Sequence, residues 1–206
     1  MKILSSKKKF IYLISPNKIY PNFYKDLNKI FQLNKVNFFQ LRLKKTPINL
    51  KFIIAKKTKK ICKKFKIKFL INDDPYLAKK IGADGCHLGQ KDINIIKARK
   101  ILGKKIIGIT CHNSIKLSKK AIKDGADYIA LGAFNPTKTK NIKFKAKVSD
   151  LIRIKKISKI PIIAIGGINN DNYKKLLLNK VNFLAISSYV FNNKKFKPIE
   201  AIKMLK

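Results

Sequence analysis

The scarcest charges in this 206-residue chain carry its chemistry. Ten Asp+Glu stand against 49 Lys+Arg, and Arg occurs only at Arg42, Arg99 and Arg153. Four of those acids, Asp73, Asp74, Asp84 and Asp92, fall between positions 73 and 92. Two carboxylates from neighbouring loops, Asp73 and Asp92, together with phosphate oxygens and water, form the oxygen set that Mg²⁺ prefers. The run Gln40-Leu-Arg-Leu-Lys44 alternates polar and apolar residues, so an extended backbone turns Gln40, Arg42 and Lys44 to one face. A packed interior holds Arg and Lys only against partners, and anionic oxygens are the natural ones. Pro136-Thr-Lys-Thr-Lys140 brings hydroxyls and ammonium groups to a loop long enough to close over a phosphate. Gly166-Gly167 and Ser187-Ser188 offer backbone N–H groups that an anion can approach closely. The chemistry these types share is the handling of phosphate or diphosphate groups beside a divalent cation.

The elements that position them follow from periodicity. Short runs rich in Ile, Val, Phe and Tyr read as strands over Phe10–Ser15, Asn37–Leu43, Lys66–Ile71, Gly85–Leu88, Lys105–Thr110, Tyr128–Leu131, Pro161–Ile165 and Phe183–Ser187. Helical patterns lie between them, including Leu50–Lys64, Asn94–Leu102, Ser114–Asp124 and Asn170–Leu178. Asp92, Asn113 and Asn169 stand where helix N-caps are expected. Eight strands that alternate with helices predict a single-domain (β/α)₈ barrel over residues 1–206, with an open doubly wound sheet as the runner-up. No G-x-G-x-x-G follows the first strand, which favours the barrel. Barrel chemistry sits at the C-terminal ends of strands. There the assignment places Gln40, Arg42, Lys44, Asn72, Asp73, His87, Gln90, Asp92, Thr110, His112, Thr137, Thr139, Lys140, Gly166, Gly167, Ser187 and Ser188.

Composition sets the outer limits. A net charge of +39 invites a nucleic-acid reading, but the excess is Lys and is spread from end to end. Specific phosphate and base contacts favour Arg, so most of these lysines read as solvated surface and no nucleic-acid partner is expected. A hydrophobic content of 46% suits a packed domain. No apolar run reaches the roughly 18–20 residues of a membrane span. The start, Met1-Lys-Ile-Leu-Ser-Ser-Lys, lacks an apolar stretch of signal-peptide length, so a cytoplasmic location is expected. Cys62, Cys86 and Cys111 do not make a disulfide scaffold. Cys86-His87 and Cys111-His112 are poor metal cages, because adjacent strand residues face opposite ways. His87 and His112 could line the mouth, and His112 could shuttle a proton.

In order along nearly the whole chain, the motifs Tyr12-Leu-Ile-Ser, Gln40-Leu-Arg-Leu-Lys, Leu70-Ile-Asn-Asp, Gly82-Ala-Asp-Gly-Cys-His-Leu-Gly-Gln-Lys-Asp92, Ile107-Gly-Ile-Thr-Cys-His, Gly125-Ala-Asp-Tyr, Pro136-Thr-Lys-Thr-Lys140, Pro161-Ile-Ile-Ala-Ile-Gly-Gly-Ile168 and Ala185-Ile-Ser-Ser resemble the thiamine-phosphate synthase family. The resemblance implies a Mg²⁺-dependent enzyme. It would join 4-amino-2-methyl-5-pyrimidinylmethyl diphosphate to a methylthiazole-ethyl phosphate and release pyrophosphate and thiamine phosphate. It places Gln40, Arg42, Lys44, Asn72, Thr110 and Lys140 on the pyrimidine diphosphate, Arg42, Lys44 and Lys140 serving the leaving group. It places Asp73 and Asp92 on Mg²⁺, and Thr137, Thr139, Gly167, Ser187 and Ser188 on the thiazole phosphate. The family mechanism is dissociative and uses no protein nucleophile. The thiazole tautomerases of the same family are the alternative, but they tend to lose the metal Asp and the Pro-Thr-x-Thr-Lys loop, both intact here. The partners implied are two small molecules, with a homo-oligomer possible and no membrane. The chain departs from the family at Leu43, Thr110, Ala133, Asn182-Phe183 and Tyr189. These departures point at the thiazole-phosphate site more than at the diphosphate site.

Overall fold

A computed structural model describes residues 9–136 and 144–206. Eight parallel strands close on themselves in sequence order, β1 pairing with both β2 and β8. They are β1 Ile11–Ile14, β2 Val36–Leu41, β3 Lys68–Asn72, β4 Gly85–Leu88, β5 Ile106–His112, β6 Tyr128–Leu131, β7 Ile162–Ile165 and β8 Phe183–Ile186. The helices are α1 Phe23–Gln32, α2 Ile48–Lys64, α3 Pro75–Lys80, α4 Ile95–Leu102, α5 Ile115–Lys123, α6 Val148–Ile157, α7 Tyr173–Leu178, α8 Ser188–Phe191 and α9 Pro198–Met204. The barrel reading holds and the open sheet does not. Among the described residues, no helix is long and apolar enough to cross a membrane.

Period-2 alternation sorts each strand between two cores. Outward residues such as Leu13, Phe39, Ile71, Cys86, Ile107, Ile129 and Leu184 join the helices in one continuous apolar layer. Inward residues Tyr12, Phe38, Leu70, Ile106, Tyr128, Ile163 and Phe183 fill the barrel. Phe38 meets Phe183 edge-on at 5.0 Å and stacks with Tyr12 at 5.4 Å. Gly108 makes this packing possible: a Cβ there would stand 1.9 Å from the Tyr128 ring. Large and small inward residues thus interlock, as native packing density requires.

The helix caps differ from the sequence expectation by a residue or more. Asn94 caps α4 and Ser114 caps α5, each side chain accepting from the N–H three residues on. Asp92 instead accepts from the Gly89 N–H at 2.6 Å, and Asn113 reaches the Lys145 carbonyl. Asn169 accepts from the N–H groups of Asp171 and Asn172, just ahead of α7, which begins later than the pattern suggested. Each expected cap lay inside a tight turn that precedes the helix, and such turns draw on the same Asx chemistry.

A repeated clasp ties the strands in pairs at the opposite end of the barrel. Asp84, just before β4, exchanges bonds with Phe69: its N–H donates to the Phe69 carbonyl and its carboxylate accepts the Phe69 N–H at 2.9 Å. Asp127 does the same to Ile107 before β6, and Asn182 to Ile162 before β8. Asp84 therefore belongs to the scaffold rather than to the acid cluster it accompanies in sequence. Asn182 retains the acceptor role at a distance from the mouth, so this departure does not bear on phosphate binding.

Candidate active site

The mouth at the C-terminal ends of β2 to β5 gathers most of the predicted side chains. Gln40 closes the inward row of β2 and is 2% exposed. The strand ends at Leu41, so Arg42 and Lys44 leave from the turn beyond it rather than from a strand face. Leu43 keeps the alternation and is buried in the outer layer. Arg42 is anchored twice: its N–H donates to Ser15 Oγ at 2.8 Å, and its guanidinium donates to Asn17 Oδ1. Burial pulls its pKa down and the charge of Asp73 pushes it back up. Lys44 is exposed and reaches across to Asp73 at 3.4 Å.

Asp73 and Asp92 face each other. Asp74, not Asp73, caps α3, accepting from the Leu77 N–H at 2.8 Å. This leaves Asp73, held at φ +65°, to point at the mouth. Burial raises the Asp73 pKa, a shared hydrogen bond and the charge of Asp92 raise it further, and Lys44 opposes both. Two carboxylates arranged to repel one another form a place where a cation would relieve the repulsion. Among the described residues, no three His, Cys, Asp or Glu side chains gather into a metal cage. An ion here would therefore draw its remaining oxygens from substrate and water, as Mg²⁺ commonly does.

Sequence reasoning missed the way the floor of the mouth is built. Tyr12 donates to Gln40 Oε1 at 2.7 Å and shares a 2.8 Å bond with Tyr128. His87 bonds Tyr128 through Nδ1 at 2.8 Å and Thr110 through Nε2 at 2.9 Å, while Gln40 donates to Asn72 Oδ1. Burial pushes the His87 pKa down to about 4, so the ring is neutral. The available signal was two tyrosines at inward positions of β1 and β6, since a buried Tyr hydroxyl needs a partner. Gln90 is exposed and donates to the Thr110 carbonyl. His112 ends β5 at φ +55°, still paired with β6, and packs its ring on Phe144 at 4.5 Å. The thiols are buried and unreactive: burial raises the Cys62 and Cys86 pKa values and pushes Cys111 up to about 12.

Among the described residues, the other half of the mouth is mostly backbone. Gly166 and Gly167 follow β7 with φ +104° and +59°. Their bareness serves a protein contact: a Cβ on Gly166 would lie 2.4 Å from Ala133 Cβ, and one on Gly167 2.2 Å from the Pro136 carbonyl. Phe134 and Asn135 donate to the Ile165 and Gly166 carbonyls, so the segment after β6 zips onto the end of β7. Ser187 donates to the Ser15 carbonyl at 3.2 Å, and Ser188 opens α8 beside it. Thr137, Thr139 and Lys140 lie outside the described residues.

A family model described as thiamine monophosphate synthase matches residues 11–190. The chain belongs to that family. A thiamine-phosphate synthase of Pelagibacter ubique is 66% identical over 207 residues, covering 100% of each chain. One from Clostridium acetobutylicum is 36% identical over 190 residues, 91% of this chain and 89% of its own. The thiamine phosphate pyrophosphorylase of Pyrococcus furiosus superposes with a TM-score of 0.85 at 28% identity, covering 96% of this chain and 94% of that one. The orotidine 5'-phosphate decarboxylase of Pyrococcus horikoshii, at 11% identity and a TM-score of 0.67, shares the fold alone. These relatives set the chain with the synthases.

Proposed function

We propose that the mouth holds 4-amino-2-methyl-5-pyrimidinylmethyl diphosphate with Mg²⁺ on Asp73 and Asp92, and couples it to methylthiazole-ethyl phosphate. The chain is a transferase of thiamine biosynthesis. The observation that carries the site assignment is the facing pair Asp73 and Asp92, with Lys44 and Arg42 on the same rim. The methylene–oxygen bond breaks, its electron pair leaving with pyrophosphate, and the thiazole nitrogen lone pair then forms the new C–N bond. Bound Mg²⁺ would supply neutralisation of the diphosphate charge. Arg42, Lys44 and Lys140 donate to the departing oxygens. Charge-assisted hydrogen bonds of this kind contribute about 1.5–3 kcal/mol each. Gln40, Asn72 and Thr110 hold the pyrimidine ring so that its methylene faces the thiazole nitrogen, and orientation of this sort lowers the entropic part of the barrier. Gly167, Ser187 and Ser188, with Thr137 and Thr139, hold the thiazole phosphate. No side chain acts as nucleophile.

The reading takes the protein as a cytoplasmic enzyme of two small anionic substrates, with its lysine surface gathering them rather than binding nucleic acid. An assay for thiamine phosphate from the two substrates tests it directly. Formation with Mg²⁺, and its loss on chelation and recovery on readdition, is the expected result. Full activity in the presence of excess chelator would remove the metal from the reading.

A further inference from the structure

Six side chains from six strands form a single buried chain: Asn72 (β3), Gln40 (β2), Tyr12 (β1), Tyr128 (β6), His87 (β4) and Thr110 (β5). Gln40, Tyr12, Tyr128 and His87 are all less than a tenth exposed, so water does not complete their hydrogen bonding. Each hydroxyl has one proton, and this sets a direction. Tyr12 spends its proton on Gln40 Oε1. The bond between the tyrosines must then run from Tyr128 to Tyr12. Tyr128 can only accept from His87, which places the imidazole proton on Nδ1. Nε2 is left as a lone pair, and Thr110 donates to it. At the far end Gln40 Nε2 donates to Asn72 Oδ1. The opposite direction requires both amides to turn over and every proton to move together. It would also point the Asn72 carbonyl, not its amide N–H₂, at an anionic substrate.

We propose that these groups form a one-way hydrogen-bond relay in which Tyr12, Tyr128 and His87 are positioning residues that fix Asn72 as a donor and Thr110 as an acceptor toward the substrate. The relay rests on the functional reading above and adds a selection rule to it. With its proton committed to His87, Thr110 Oγ1 offers only lone pairs, which suit the exocyclic amine of an aminopyrimidine. A 4-oxo pyrimidine in its place sets lone pair against lone pair, and no single residue can adjust without reversing all six. Gly108 belongs to the device because it clears the space for the Tyr128 ring, which stacks on His87 at 5.6 Å.

Nitrogen-15 NMR of the histidine-labelled full chain reads the relay directly. The chain has two histidines, so a His112→Gln variant assigns the spectrum. A pyrrole-type Nδ1 and a pyridine-type Nε2 on His87 at neutral pH support the relay; a protonated Nε2 or a mixture of tautomers overturns it. Tyr128→Phe should release the tautomer and raise the KM for the pyrimidine diphosphate by about tenfold, the value of one neutral hydrogen bond, with the KM for the thiazole phosphate unmoved. An unchanged tautomer with unchanged discrimination against the 4-oxo analogue overturns the proposal. If that variant does not fold, Thr110→Ser and Thr110→Val replace it: Ser should keep the discrimination and Val should lose it, and equal behaviour refutes the relay. A chain that shows the Nδ1 tautomer yet makes no thiamine phosphate breaks the functional reading and leaves the relay standing.

Discussion

The two halves of the mouth are built from different material. From β2 to β5 the wall is side chain: Gln40, Arg42, Asn72, Asp73, His87, Asp92 and Thr110, each held by a named partner or charge. From β6 to β8 the described residues offer mostly backbone, with the 133–136 segment zipped onto bare Gly166 and Gly167. The difference suits the two ligands proposed for it. A departing diphosphate accumulates charge and needs localised cations and carboxylates that respond to it. A phosphate that stays intact needs only a shaped row of donors.

Substitutions can test whether the halves are separate. Asp92→Ala should take the sharpest toll, reducing coupling to background while circular dichroism and the melting temperature stay near those of the parent. A folded variant that retains activity at ordinary Mg²⁺ would remove Asp92 from the metal site. Acid should strike the side-chain half next. His87 has its pKa lowered to about 4 in the folded chain against 6.5 when exposed. Between those values the unfolded chain binds more protons, so stability falls as pH drops through the window, by about 3 kcal/mol at most. Urea titrations at pH 7 and pH 4.5 read this, and a His87→Gln variant should flatten the dependence. Arg42→Met should lower turnover at least about tenfold, as expected for one lost charge-assisted contact; a near-normal rate would take the leaving-group role from it. Gly167→Ala should act on the backbone half alone. Strain at its positive φ and the crowded Pro136 carbonyl should cost about 1–3 kcal/mol and raise the thiazole-phosphate KM several-fold. Equal movement of both KM values would show that the halves are one unit.

The same contrast explains what the sequence could reveal. Strands β4 and β6 begin and end where periodicity puts them, because Gly82-Ala-Asp and Gly125-Ala-Asp mark each turn locally. Arg42, Asp73 and Asp92 are legible because their charges are rare against a lysine background. The backbone half is less so: Gly166-Gly167 suggests a ligand cradle, while the contact that demands those glycines is with residues 133–136. Asp74 and Asp84 share a stretch with Asp73 and Asp92, yet one caps a helix and the other clasps a strand, a distinction fixed only by three-dimensional position. The relay is the least legible feature. Tyr12 and Tyr128 are 116 residues apart, and nothing in the short motif around either one names the other as its partner.

The three clasps at the base give the barrel a modular grain. Asp84 binds β4 to β3, Asp127 binds β6 to β5, and Asn182 binds β8 to β7, so every clasp is complete within a consecutive strand pair. A chain interrupted at Gly103, in the turn after α4, leaves each clasped strand pair on one fragment, though it parts Arg99 from the Asp127 carboxylate that it meets at 2.7 Å. Each fragment inherits four strands with their pairwise clasps whole, while the ring of side chains across the floor is severed. The molecule thus pairs a base tied strand by strand with a chemical floor whose hydrogen bonds run across the whole barrel.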